Sequence, residues 1–214
     1  DDPTNKTETA IDILRKTPFV AVDGEDNIKV NGKSNFKVLL NNRETSMFAR
    51  NIKEALRGFP GAIISRIEVI TTPSAKYDGE GIGGVINIFT KRGQGPLNVG
   101  VSTQGGNGWT THQVATARGG LGNLGYSFSL GYLASDGFRS VNDDYRNLAT
   151  SARLDYQMTE DASLKGIFHF VNTDLGLYSN NNFVPTPDPN ARERSTQYLG
   201  KLEWEQRILK NWDY

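Results

Sequence analysis

The chain has 214 residues, 24 Lys and Arg against 24 Asp and Glu, 23 glycines and no cysteine. That length holds one or two domains, and the zero net charge offers no basic stripe to release counterions from phosphate, so nucleic acid is not an expected partner. Without cysteine there is no disulfide framework, cysteine zinc site or thiol nucleophile, and no apolar run approaches the roughly 18 residues of a membrane helix.

The polar start, Asp1-Asp2-Pro3-Thr4, lacks the basic and apolar regions of a signal peptide. From Thr7 to Lys16 a short helix is predicted: Thr7 caps, Ala10, Ile11 and Leu14 share a face, Arg15 and Lys16 close the negative end, and Pro18 stops it. Strands are predicted over 19–22, 28–30 and 36–40, the first two separated by the acidic turn Asp23–Asn27. Phe48, Ile52, Ala55 and Leu56 recur at helical spacing, predicting a second helix over 48–57 capped by Thr45 or Ser46 and ended by Gly58 and Pro60. A β-branched strand over 62–71, a glycine-rich loop over 74–84 and a strand over 85–90 complete an α+β unit with a mixed sheet and two short helices.

Composition changes near residue 92. Residues 93–214 hold 15 of the 21 aromatic residues, 15 of the 23 glycines and all three tryptophans. Their pattern is β alone, in alternating segments of about ten residues. Tyr126, Phe128, Leu130 and Tyr132 oppose Ser127, Ser129 and Gly131; Leu148, Leu154, Tyr156 and Met158 oppose Ala149, Ser151, Arg153 and Asp155; Tyr198, Leu202 and Trp204 oppose Lys201, Glu203 and Glu205. Tight connections at 119–123 and 159–161 alternate with long polar ones at 135–146 and 173–194. Aromatic strand ends, mid-strand charges on one face and unequal connections favour an outer-membrane barrel over a soluble sandwich. Segments 112–118 and 165–171 break the pattern, because Ile167 and Val171 share the parity of Lys165 and His169. About six strands fit in this length, too few to close around a ninety-residue unit, so the barrel is expected to be incomplete. The expected division is 1–92 and 93–214.

The stretch Arg66 to Arg92, with Pro73, Tyr77, Gly79, Gly81, Gly83, Gly84 and Asn87, resembles the end of the plug domain of TonB-dependent outer-membrane receptors. Residues 10–18, 28–33 and 38–43 are similar to earlier plug elements in order, and the pattern looks most like the outer-membrane β-barrel branch common in Bacteroidetes-type bacteria. The resemblance implies a receptor in the bacterial outer membrane for active uptake of a scarce nutrient, of siderophore, cobalamin or glycan class, through a barrel occluded by the plug. It implies as partners the small nutrient ligand, outer-membrane lipid and the TonB complex, the last through a TonB box that is not recognisable before Thr7. Many family members place an arginine where this chain has Asn31 and another where it has Thr71-Thr72, arginines that commonly lock plug to barrel. Arg66 and Glu68 are the candidates left for charged plug–barrel contact. The loop Asn41, Asn42, Arg43, Glu44 and Thr45 is the candidate for ligand contact, as an outward-facing plug loop.

No enzyme is expected. The Ser, metal-protease, phosphate-loop and calcium-loop motifs do not occur. Gly79, Gly81 and Gly84 fit the dinucleotide fingerprint only formally, since a strand and not a helix follows. His112 and His169 lack companion carboxylates, and Asp23–Asn27 lacks calcium-loop spacing, so neither metal nor cofactor is expected. The alternative from another class is a soluble two-domain binding or adhesion protein with a β-sandwich half.

Overall fold

The computed structural model describes residues 8–45, 47–48, 51–73, 83–138, 142–177 and 190–208. Helix α1 spans Ala10–Arg15. It opens at Thr9, later than predicted, because the Asp12 carboxylate accepts both the Thr9 backbone N–H (3.0 Å) and the Thr9 hydroxyl (2.6 Å); Thr7 lies outside the described residues. Strands β1 (Val20–Val22) and β2 (Ile28–Val30) pair antiparallel, and Phe19 stays outside β1 at φ 64°. Strand β3 (Lys37–Leu40) turns into β4 (Arg43–Glu44) through Asn41 and Asn42, both at positive φ as a two-residue hairpin of this kind requires.

The second predicted helix is broken. Helix α2 covers Ile52–Gly58 because Asn51 leaves helical geometry (φ −146°) and its side chain accepts the Glu54 N–H at 3.3 Å; Ser46 lies outside the described residues. A 3₁₀ turn, Gly61–Ile63, leads into β5 (Ile64–Ile70), which pairs antiparallel with β6 (Val85–Thr90). β3 joins β6 in parallel, giving a mixed sheet of order β4-β3-β6-β5. The Gly79 and Gly81 region of the glycine loop lies outside the described residues. Gly84 is required by close approach, since an added Cβ would lie 2.5 Å from Val30 Cγ1 and 2.9 Å from the Ile70 carbonyl.

Six antiparallel strands follow as one meander: β7 (Asn98–Gly106), β8 (Thr110–Leu121), β9 (Leu124–Ser135), β10 (Tyr145–Thr159), β11 (Ala162–Gly176) and β12 (Arg192–Gln206). Two-residue turns at 122–123 and 160–161 lie at one end of this sheet, and the connections 136–144 and 177–191 at the other. The strands run further into both long connections than the sequence suggests.

One face of the sheet carries Val101 (77% exposed), Leu202 (75%) and Tyr198 (74%), with Val99, Phe128, Leu154, Phe168 and Trp204 around them. Such a continuous apolar face is costly in water and suited to lipid. The other face meets the smaller unit. Ile167, His169, Val171 and Thr173 are all buried there, which accounts for the parity break: Ile167 and Val171 are apolar because they pack on protein. One core contains Leu14, Leu56, Phe59, Ile86 and Ile88 together with Ala149 of β10 and Val171 of β11, with Leu199 of β12 against it.

Candidate functional site

Strand register arranges the middle of the wall's inward face in four cross-strand rows. From the short-turn end, the first is Asn98, Arg118, Ser127, Arg153, Ile167 and Lys201, and the second Gly100, Thr116, Ser129, Ser151, His169 and Leu199. The third is Ser102, Val114, Gly131, Ala149, Val171 and Gln197, and the fourth Gln104, His112, Leu133, Asn147, Thr173 and Ser195. Apolar contact is therefore concentrated at mid-height on β10–β12.

There α2 ends against the wall. The Phe59 ring lies 5.2 Å from the His169 ring at 44° and 6.1 Å from Phe48. Gly58 lets the backbone pass: an added Cβ would sit 2.6 Å from Val171 Cγ1 and 3.0 Å from Asn147 Nδ2.

At the short-turn end the contact is polar. Asn41 Oδ1 accepts the Thr90 N–H at 3.1 Å, Asn42 Oδ1 accepts from Asn87 Nδ2 at 2.6 Å, and Arg153 Nη1 donates to Thr90 Oγ1 at 2.9 Å. Arg153 is itself held by both oxygens of Asp155 (2.7 and 2.8 Å). Arg43 Nη2 reaches Glu203 Oε1 at 3.0 Å, and Lys201 holds the other Glu203 oxygen at 2.8 Å.

At the end with the long connections, a cavity of about 420 Å³ opens between α1, α2, the loop before β10 and the end of β11. Asp26, at φ 62°, sits buried beneath it and pairs with both Arg15 and Arg57. Across the cavity Arg192 grips Asp144 with two bonds (2.9 and 2.8 Å) and Asp174 at 2.8 Å, tying β12 to the loop before β10. Next to Arg57, Glu54 Oε1 lies 3.2 Å from Nη1 while Oε2 is buried without a partner. Burial raises the Glu54 carboxyl above the usual carboxylate range, opposed by Arg57 and reinforced by Glu193 and Asp26. A carboxyl raised on folding stabilises most below its unfolded pKa, and that contribution is lost as pH rises through the folded value. Glu54→Gln is therefore expected to raise the melting temperature at neutral pH, with the gain disappearing below the ordinary glutamate range. Paired thermal melts across pH check this, and a pH-independent difference would exclude it.

Of the sequence-predicted residues, Arg43 forms an ion pair across the interface, and the others named here make their polar contacts within the smaller unit. Asn41, Asn42 and Arg43 lie at the short-turn end, on Thr90, Asn87 and Glu203, and not beside the long connections where an outward loop was expected. Glu44 pairs with Lys37 at 2.8 Å. Thr45 borders a cavity of about 230 Å³ with Ile167 and Leu199. Arg66 and Glu68 pair with each other at 2.7 Å, with Arg66 over the Phe89 ring at 3.8 Å. Sequence reasoning passed over Asp26 and Arg57. The acidic turn around Asp26 was visible, but Asp23 satisfies that turn by accepting the Asn27 and Glu25 N–H groups, leaving Asp26 free to face the arginines.

A mixed-sheet unit docked by its core onto the lumen face of a lipid-suited antiparallel meander defines a plugged outer-membrane barrel. Residues 3–85 match the family described as TonB-dependent Receptor Plug Domain, and the chain has the fold of a TonB-dependent receptor plug followed by part of its barrel. It is similar in fold to the ferric enterobactin receptor PfeA of Pseudomonas aeruginosa (18% identity, 97% of this chain and 37% of that one, TM-score 0.71). It is also similar to FpvA of P. aeruginosa, solved with bound pyoverdine (16%, 95% and 30%, 0.72), and to the copper transporter OprC (13%, 80% and 29%, 0.64). At these identities the likeness is one of fold, and the chain spans about a third of the length of each.

Proposed function

We propose that this chain is the plug, residues 1–92, and the first barrel strands, residues 93–214, of an outer-membrane receptor for active nutrient uptake. The long connections face outward, ligand is captured in the cavity over Asp26 and Arg57, and the TonB complex draws the plug to admit it. The observation that carries this reading is the single core running from Leu14 and Phe59 into Val171, which makes the smaller unit a stopper fitted to this wall. In it, the turn Asn41–Thr45 anchors the plug at the inner end, and Arg66 with Glu68 forms a surface pair of the plug. The ligands named for the similar structures, enterobactin, pyoverdine and copper, put metal chelates first among the nutrients to test, ahead of cobalamin and glycans. The protein acts as a receptor and not as an enzyme.

Cells expressing the full receptor gene are expected to accumulate one of these nutrient classes, with uptake collapsing when a protonophore removes the proton-motive force. Uptake of none of them, together with a detergent-free monodisperse monomer, would instead favour a soluble binding protein.

A further inference from the structure

A second cavity, of about 260 Å³, lies between the 3₁₀ turn and the inner half of β7–β9. Its polar residues are Lys91, Asn98, Ser102, Thr116, Arg118 and Ser127, and among the described residues no aspartate or glutamate lines it. The row containing Arg118 explains the imbalance. Its other two cations each meet an acid two residues further along their own strand, Arg153 with Asp155 and Lys201 with Glu203. The corresponding position after Arg118 is Gly120. The side chain of half-buried Arg118 makes no hydrogen bond or ion pair among the described residues. Guanidinium is the side chain best suited to a planar or tetrahedral oxyanion, and a low-dielectric cleft lined by one sign of charge concentrates the opposite one.

We propose that this cavity is a binding station for an oxyanion group, carboxylate or phosphate, of a small ligand, held by Arg118 with the hydroxyl of Ser127. Along β8, the inward residue His112 lines a separate cavity beside α1, and the next inward residue, the buried Val114, stands between that cavity and this one. The station is on the inward face, so lipid headgroups against the outer face do not supply its ligand. Its role as a stop in transit rests on the uptake reading, whereas its affinity for anions rests on charge and shape alone.

The test uses the full receptor in detergent with Ser127→Cys, the cross-strand neighbour of Arg118; this chain has no native cysteine, and any cysteine elsewhere in the receptor is first replaced by serine. An anionic methanethiosulfonate is expected to modify that thiol about tenfold faster than a cationic one of similar size. Inorganic phosphate should slow the anionic reagent. Arg118→Gln should level the two rates and remove the phosphate effect, while Arg118→Lys, which keeps the charge, should preserve both. Equal rates in the parent, a preference that survives Arg118→Gln, or no reaction with either reagent would overturn the station. Nutrient uptake, assayed separately in the unmodified receptor, tests the uptake reading without bearing on these rates.

Discussion

Phe59→Ala is expected to cost about 3–5 kcal/mol, as truncation of a buried aromatic does, and to release the plug from the wall while the barrel strands stay paired. Phe59 is 1% exposed, closes the plug core against Phe48, and is the ring that meets His169 of β11. Its loss removes contact from both partners at once. The wall strands share no such dependence, because β10 and β11 are paired along nearly their whole length by backbone hydrogen bonds. Amide hydrogen exchange separates the two effects: β6 amides should lose protection while β10 and β11 amides keep theirs. Equal loss in all three would mean that plug and wall unfold as one unit, and no loss would mean that the aromatic contact is dispensable.

Gly93→Ala is expected to disturb the passage from plug to wall. The chain leaves β6 and threads past the β8–β9 hairpin so closely that an added Cβ at Gly93 would overlap the Tyr126 backbone and approach the Gly119 carbonyl, while Gly125 faces Gly93 in turn. Backbone cannot retreat as a side-chain tip can, so the overlap has to move β9 or expel the linker. Overpacking of this kind costs about 1–3 kcal/mol and occasionally more. Refolding into detergent, read as the fraction with barrel-like mobility on unheated gels, should fall for Gly93→Ala and stay unchanged for Gly166→Ala, where an added Cβ meets nothing. Equal yields would show that the linker has room to move.

Much of this architecture is legible in local pattern. The short helix, the strands at 28–30 and 85–90, the lipid-facing parity of β9, β10 and β12, and the unequal connections all follow from spacing that a single strand or turn carries. What was not legible depends on pairing between distant segments. The turn at Asn41 and Asn42 points to the short-turn end because β3 runs parallel to β6, and β6 ends at that side; alternation says nothing about strand direction. The odd parity of 165–171 arises because the inward face of β11 packs on the smaller unit, so the buried Ile167 and Val171 stand at the same parity as Lys165. The break at Asn51 turns on one side chain finding the Glu54 N–H, a cap that competes with an apolar spacing favouring a longer helix. Asp26 was hidden by its own turn, since its two arginines come from α1 and α2.

The buried run Val171, His169, Ile167 along β11 bears on how a pulled plug would travel. Successive inward positions are two residues apart, roughly 7 Å along a strand. Drawn one such step toward the short-turn end, Phe59 would exchange His169 for Ile167; one step more would bring it to the charged Lys165, which Glu205 holds. The run therefore offers the Phe59 ring one further apolar position, Ile167, before the charged pair at Lys165, and Ile167 lies in the same cross-strand row as Arg118 and Arg153.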